Sequence, residues 1–249
     1  VKKETLYGIH PVIEALLAGR RNFFDINIAK GKTFQHFGKI QKLASSRGVT
    51  INRVGKKDLD VMADTRQHQS ICASVSQYPF VDFSGLSAAI KKNNTPPFLL
   101  LLDTIQDPHN LGALIRTALC AGVNGIIIPK DRSAPPTPAA SRGSAGALEH
   151  ALIARVTNIS IAIQALKKHG LWFFGLDMNG DKSVFEADLS GGIALVIGGE
   201  DKGIRPLVKK ECDFLISIPQ EGEITSLNAS AAGAVAMYEA YRQRNMKRP

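Results

Sequence analysis

From Phe98 onward the sequence repeats one pattern that few folds accommodate: a short all-apolar run, a polar loop, then a stretch with helical spacing. FLLLLD (Phe98–Asp103) is the first such run, and Gly125–Ile128, Leu171–Leu176, Ile193–Ile197 and Phe214–Ile218 follow. Helices are predicted over Leu111–Ala121, over Ile159–His169 and from Leu227 to Arg244. A run with no polar alternation has no face to offer water, so it suits a parallel sheet covered on both sides. Alternation with helices predicts βα units and an α/β fold class. In such sheets ligands bind outside the carboxyl ends of the strands.

The preceding segment differs. Residues 1–76 alternate short helices (predicted at Pro11–Ala18, Phe34–Ser46 and Lys57–Ala63) with strands (Asp25–Ala29, Val49–Val54 and Ile71–Ser76). The pattern weakens over 77–96, which ends in Asn-Asn and Pro-Pro and is expected to be a linker. The expected organisation is therefore residues 1–76, a linker over 77–96, and a second domain over 97–249. Charge divides the same way. Residues 1–76 carry 13 Lys and Arg against 6 Asp and Glu, whereas residues 96–249 carry 16 against 15. A basic first domain beside a near-neutral second one suggests a polyanion grip joined to a chemical site. Removing residues 1–95 should then leave a folded second domain.

Several functions are disfavoured. No apolar run reaches membrane-spanning length, and VKKETLYG has no apolar stretch behind its lysines, so no signal peptide is expected there. Cys72, Cys120 and Cys212 are odd in number and far apart, which points to a reducing, cytoplasmic setting rather than a disulfide or zinc framework. His109 and His150 stand alone, so no metal is expected. No G-x-G-x-x-G follows a strand. GGEDKG has the glycine spacing of a P-loop, but Ile204 follows where Lys and Ser/Thr are needed, so a nucleotide hydrolase is unsupported.

Three loops remain as candidates, each following a buried strand. In DPHNLGALIR, Asp107 and Asn110 occupy helix-cap positions, and Arg116 is a lone cation on an otherwise apolar helix. In GGEDKG, Gly198 and Gly199 permit close backbone approach, with Glu200 at the turn. In EITSLNASAAG, Ser226 or Asn228 is placed to cap the last helix. The segment from Arg132 to Gly146, with three prolines and little apolar content, reads as a mobile loop running into a short helix.

These same segments carry a resemblance. NLGALIR is similar to motif 1 of the SPOUT (SpoU–TrmD) RNA ribose methyltransferases, N-x-G-x-x-x-R. GGEDKGI is similar to motif 2, G-x-E-x-x-G-L, and SIPQEGEITSLNASAAGAVAMYEA to motif 3, I-P-x-x-G-x-x-x-S-L-N-V-S-x-A. Ile204 and Ala229 depart from the usual Leu and Val, both mild apolar changes. YGIHPVIEALL resembles the start of the ribosomal-protein L30e/L7Ae-like substrate domain of the large-subunit rRNA guanosine 2′-O-methyltransferase branch.

The resemblance implies a parallel-sheet SPOUT domain with a deep trefoil knot, S-adenosylmethionine bound in that knot, a homodimer, and 23S rRNA as partner, in a bacterial or organellar setting. It implies Arg116, Glu200, Asn110 and Asn228 as catalytic residues, with Glu200 fixing the guanidinium. Gly198, Gly199, Ile218, Leu227 and Ser226 would hold the cofactor, with Leu176 and Asp177 at the wall. A guanidinium hardly deprotonates, so Arg116 is expected to clamp the target phosphate rather than act as base. In the family the motif 1 and C-terminal helices meet across a two-fold axis, which would carry Arg116 towards the partner's pocket. The alternatives are a tRNA ribose methyltransferase and, in another class, a catalytically inactive rRNA-binding assembly factor. The long first domain weighs against the former and the intact motif residues against the latter.

Overall fold

The computed structural model describes residues 2–91, 95–221 and 226–245. The chain forms two units. One holds residues up to Pro79 together with Pro135–His150, and the other holds Phe80–Ala134 and the chain from Ala151 onward.

The first unit contains, in order, β1 (Lys3–Tyr7), α1 (Ile9–Ala18), β2 (Phe23–Ala29), α2 (Phe37–Ser46), β3 (Ile51–Val54), α3 (Lys56–Ala63) and β4 (Ile71–Ser76). Its sheet has the order β1-β4-β2-β3, with β4 antiparallel to both neighbours and β3 parallel to β2. Alternate residues of β2 and β4 (Ile26 and Ile28; Ile71, Ala73 and Val75) meet Val12 and Leu16 of α1 and Ile40 of α2 in one core. Strand β1 escaped the sequence reading because Leu6 alone among its five residues is deeply buried.

The chain continues through α4 (Phe83–Lys91), β5 (Phe98–Asp103), α5 (Pro108–Cys120) and β6 (Gly125–Pro129). It supplies α6 (Pro138–Gly143) and a 3-10 turn (Ala147–His150) to the first unit. It then runs through β7 (Ile153–Val156), α7 (Ile159–Lys167), β8 (Trp172–Leu176), β9 (Lys182–Ser183), β10 (Ile193–Gly198), α8 (Pro206–Glu211), β11 (Phe214–Ser217) and α9 (Ala229–Asn245). Seven strands form one parallel sheet of order β7-β6-β5-β10-β8-β11-β9. Every residue of β5, β6 and β10 is buried, as strands covered on both faces must be.

Two expectations need correction. The segment 77–96 is not a bare linker. Asp82 accepts the Gly85 N–H at 2.7 Å and starts α4, and Leu86 is buried in the core of the second unit. It lies so close to Gly125 that a Cβ there would come within 2.3 Å of it. Nor is the proline-rich segment a free loop. Thr137 caps α6 with Pro138 in its first turn, where a missing N–H costs nothing. Ala140 and Ser141 are completely buried in the first unit. Its anchor is a buried ion-pair network. Arg21 donates from Nε to Glu149 at 2.7 Å and from Nη1 to Glu4 at 2.6 Å, and the Ser141 hydroxyl donates to Glu149 at 2.8 Å.

Candidate active site

Strands β5, β10, β8 and β11 are consecutive neighbours in the parallel sheet, so their exit loops emerge side by side. Each loop is shaped locally by its sequence. After β5, the Asp107 carboxylate accepts the His109 N–H at 3.0 Å, and Pro108 opens α5. After β10, a Cβ on Gly198 would lie 2.0 Å from the carbonyl carbon of Gly203, and one on Gly199 would lie 2.5 Å from the Thr104 carbonyl oxygen. These glycines are required by the chain's own backbone, a need that spacing alone could not separate from room for a ligand. After β11, the Asn228 side-chain oxygen accepts the Ser230 N–H at 2.9 Å and the Ser230 hydroxyl at 2.6 Å. Asn228, rather than Ser226, caps α9. Gly222–Thr225 of this loop lie outside the described residues.

The loops after β8, β10 and β11 line a cavity of about 510 Å³, to whose wall no described residue of the loop after β5 contributes; the size suits a small-molecule ligand. Leu176, Asp177, Gly198, Gly199, Ile218, Ser226 and Leu227 line it, together with Glu200. The seven residues that the resemblance assigns to the cofactor thus border one space. Burial would raise the Asp177 carboxyl. The Lys209 ammonium, 2.8 Å away, and the Asn179 N–H outweigh this and hold it below its ordinary value. A fixed anion therefore sits at one wall.

A polar chain joins the three motifs. The Asn110 amide donates to Glu200, and the Asn228 amide donates to the Asn110 side-chain oxygen at 3.1 Å. Arg116 is not part of it. It is exposed on α5, two turns along from Asn110, and forms no ion pair among the described residues of this chain. The expected Glu200–Arg116 pairing is therefore absent among the described residues of one chain, where Glu200 accepts from Asn110 instead. The sequence reading also passed over Met178, Asn179 and Gln220, which line the cavity. Met178 and Asn179 follow Asp177 just past a predicted strand end, and that position was the available signal. Among the described residues no group of three or more His, Cys, Asp or Glu side chains could hold a metal ion.

This geometry meets an independent finding. Residues 97–238, more than half of the chain, match the family described as SpoU rRNA Methylase. The chain belongs to the SpoU rRNA methylase family. Residues 5–81 match the domain described as RNA 2′-O ribose methyltransferase substrate binding. The 23S rRNA (guanosine-2′-O-)-methyltransferase RlmB of Coxiella burnetii is 37% identical over 100% of this chain and 99% of its own length. The enzyme of the same name from Escherichia coli K12 is 38% identical, with 97% and 99% covered. YacO of Bacillus subtilis, placed in the TrmH family of tRNA/rRNA methyltransferases, is 42% identical, with 96% and 95% covered. The SpoU methyltransferase AviRb of Streptomyces viridochromogenes, solved with its cofactor AdoMet, superposes with a TM-score of 0.81 at 24% identity, with 97% of this chain and 90% of AviRb covered. That likeness speaks to the fold. The family is a methyltransferase family that uses S-adenosylmethionine. The cavity described above fits a ligand of that size.

Proposed function

We propose that this protein transfers a methyl group from S-adenosylmethionine to the ribose 2′-hydroxyl of a guanosine in 23S rRNA. The observation that carries this reading is the Glu200–Asn110–Asn228 chain beside the cavity, in a protein similar over its full length to RlmB enzymes. The bound cofactor would supply an electrophilic methyl on a sulfonium. The chain's own residues supply position. Gly198, Gly199, Ile218 and Leu227 would hold the cofactor, with Leu176 and Asp177 at the wall. Asn228 commits its carbonyl to capping α9 and uses its amide to orient Asn110, so cofactor loop and ribose site are built as one unit. Arg116 would clamp the target phosphate and stabilise the developing alkoxide, the proton passing to phosphate or water.

Finer features belong to the same reading. Residues 1–76, with their excess of Lys and Arg, would be an L30e/L7Ae-like RNA grip, and residues 97–249 would carry the chemistry. A deep trefoil knot is supported by the β10-β8-β11 strand order and by backbone approaches at Gly180 and Gly198 too close for a Cβ. A homodimer is supported by Ala231, Tyr238 and Tyr241, exposed along one stripe of α9, and by the unpaired Arg116. No helix among the described residues is long and apolar enough to cross a membrane, and cytoplasmic action follows from an rRNA substrate.

Mapping 2′-O-methyl groups in 23S rRNA and tRNA from a strain lacking this gene tests the proposal. Loss of one methylguanosine in 23S rRNA is expected. Loss of a tRNA methyl instead would support the second reading, which the name of the Bacillus subtilis relative keeps open. No loss in either would overturn both.

A further inference from the structure

Asp103 ends β5 at the rim of this site, is completely buried, and takes no part in the steps above. Its backbone is in register with Gly198, the last residue of β10. Its carboxylate binds one residue through three contacts. The Arg205 backbone N–H donates at 2.9 Å, its Nε at 2.8 Å, and its Nη2 lies 2.6 Å away. Gly198 and Arg205 flank the loop that carries Gly199 and Glu200. One residue therefore fixes both ends of that loop, by its main chain at the entrance and by its side chain at the exit. The neck is drawn closed by the Gly203 N–H, which donates to the Gly199 carbonyl at 3.0 Å.

The next residue adds a second observation. Thr104 is β-branched yet adopts a φ of +67°, a conformation such residues avoid. Its hydroxyl donates to the Asp103 carbonyl at 2.6 Å, and its own carbonyl is the group that a Cβ on Gly199 would strike. A strand end buried to this degree would be filled more simply by an apolar side chain. A buried carboxylate persists only where it is well paired, and local strain persists only where the surroundings impose it. Both occur where β5 meets the loop at the cavity.

We propose that Asp103 is a positioning residue for methyl transfer. Acting through Arg205, it sets the shape of the loop that presents Gly199 to the cofactor and Glu200 to Asn110. This rests on the reading of the cavity as the S-adenosylmethionine site. It assigns a task to a pair 102 residues apart in sequence, which the motif pattern does not connect.

The test uses the full-length protein with Arg205→Gln, Asp103→Asn and the double variant. Arg205 is partly exposed, so Arg205→Gln should fold even if Asp103→Asn does not. Calorimetry should show S-adenosylmethionine binding weakened about tenfold in Arg205→Gln, the scale of a lost charged hydrogen bond. The cofactor KM should rise in step and kcat should fall as Glu200 is displaced from Asn110, while the RNA KM stays near wild type. Arg205→Lys should recover part of the loss. The double variant should bind no more weakly than Asp103→Asn alone, because both changes break one pair. Unchanged cofactor affinity in Arg205→Gln, with only thermal stability altered, would overturn the positioning role. A wild-type protein that binds no S-adenosylmethionine would instead overturn the reading of the cavity, so the two failures are distinguishable.

Discussion

Arg116 stands exposed on α5, among neighbours that turn into the core, so its replacement should leave the fold intact and report on chemistry alone. A clamp on the phosphate and the developing alkoxide acts mainly in the transition state. Arg116→Ala should therefore lower kcat on the order of a thousandfold while S-adenosylmethionine affinity barely changes. Single-turnover assays beside calorimetry check this, and a parallel loss of cofactor binding would make Arg116 a cofactor ligand. Arg116→Lys should also be poor, since the planar fork is lost. The thiols provide a second residue-scale prediction. Burial, reinforced by Asp25, pushes the Cys72 thiol up to about 12; burial, reinforced by Asp213, does the same for Cys212. Both stay protonated near neutral pH, and thiolate is the reactive form. An alkylating reagent at pH 8 should label the exposed Cys120 well before the other two, as peptide mass mapping would show. The sign at high pH follows. Above the ordinary value of 9.0 the unfolded thiols lose protons that the folded ones keep, so both groups make the fold less stable as pH rises towards 12.

At the scale of elements, the segment that reads as a proline-rich loop is fastened to the first unit by Arg21 and Glu149, both almost inaccessible to water. Removing one partner leaves the other charged and buried, so Arg21→Met should cost about 3–5 kcal/mol. Adding Glu149→Leu should recover much of it. Denaturant titration of both variants decides, and a single variant as stable as wild type would show the network contributes little. The same packing changes the outlook for truncation. Deleting residues 1–95 removes α4, whose Leu86 fills the core of the second unit, and also uncovers Leu148 and Ala140 of the first. A fragment starting at residue 80 should melt higher than one starting at 96, and limited proteolysis of either should cut first within 135–150. These elements show where the sequence was legible. The strands β6 and β10, and β5 up to Leu102, are apolar throughout, and the three loops carry their own caps and glycines, so both were readable from local pattern. Helix α4 was hidden because its few large apolar residues, Phe83, Leu86 and Ile90, were set against a run ending in Asn and Pro. Strand β7 is four residues long and half buried. The Asp103–Arg205 and Arg21–Glu149 pairs join distant positions, and a single sequence contains no signal for such partners.

For the whole molecule, the question is whether one chain builds a complete site. Gly233 of α9 belongs to its own chain's interior. A Cβ there would come within 2.4 Å of Leu114 and 2.8 Å of Ile197, so Gly233→Leu would damage α5–α9 packing before it tested any partner. The exposed stripe of Ala231, Tyr238 and Tyr241 is the surface available to a second copy, and a permanent interface of this kind should bury about 2,000 Å² or more. Arg116 is exposed and forms no ion pair with Glu200 among the described residues of its own chain, so under the proposed two-fold symmetry it would serve the cavity of the partner. Mixing two inactive proteins tests this directly. Arg116→Ala keeps a sound cavity without the clamp, whereas Gly199→Val keeps Arg116 but places a side chain against the Thr104 carbonyl. If the site is shared, co-refolded or subunit-exchanged mixtures should recover about a quarter of wild-type activity, since half of the dimers are mixed and each has one whole site. Sedimentation should show those mixtures as dimers. Dimers that form but recover no activity would mean that each chain uses its own Arg116. A monomer with full specific activity at high dilution would remove the second copy from the mechanism altogether.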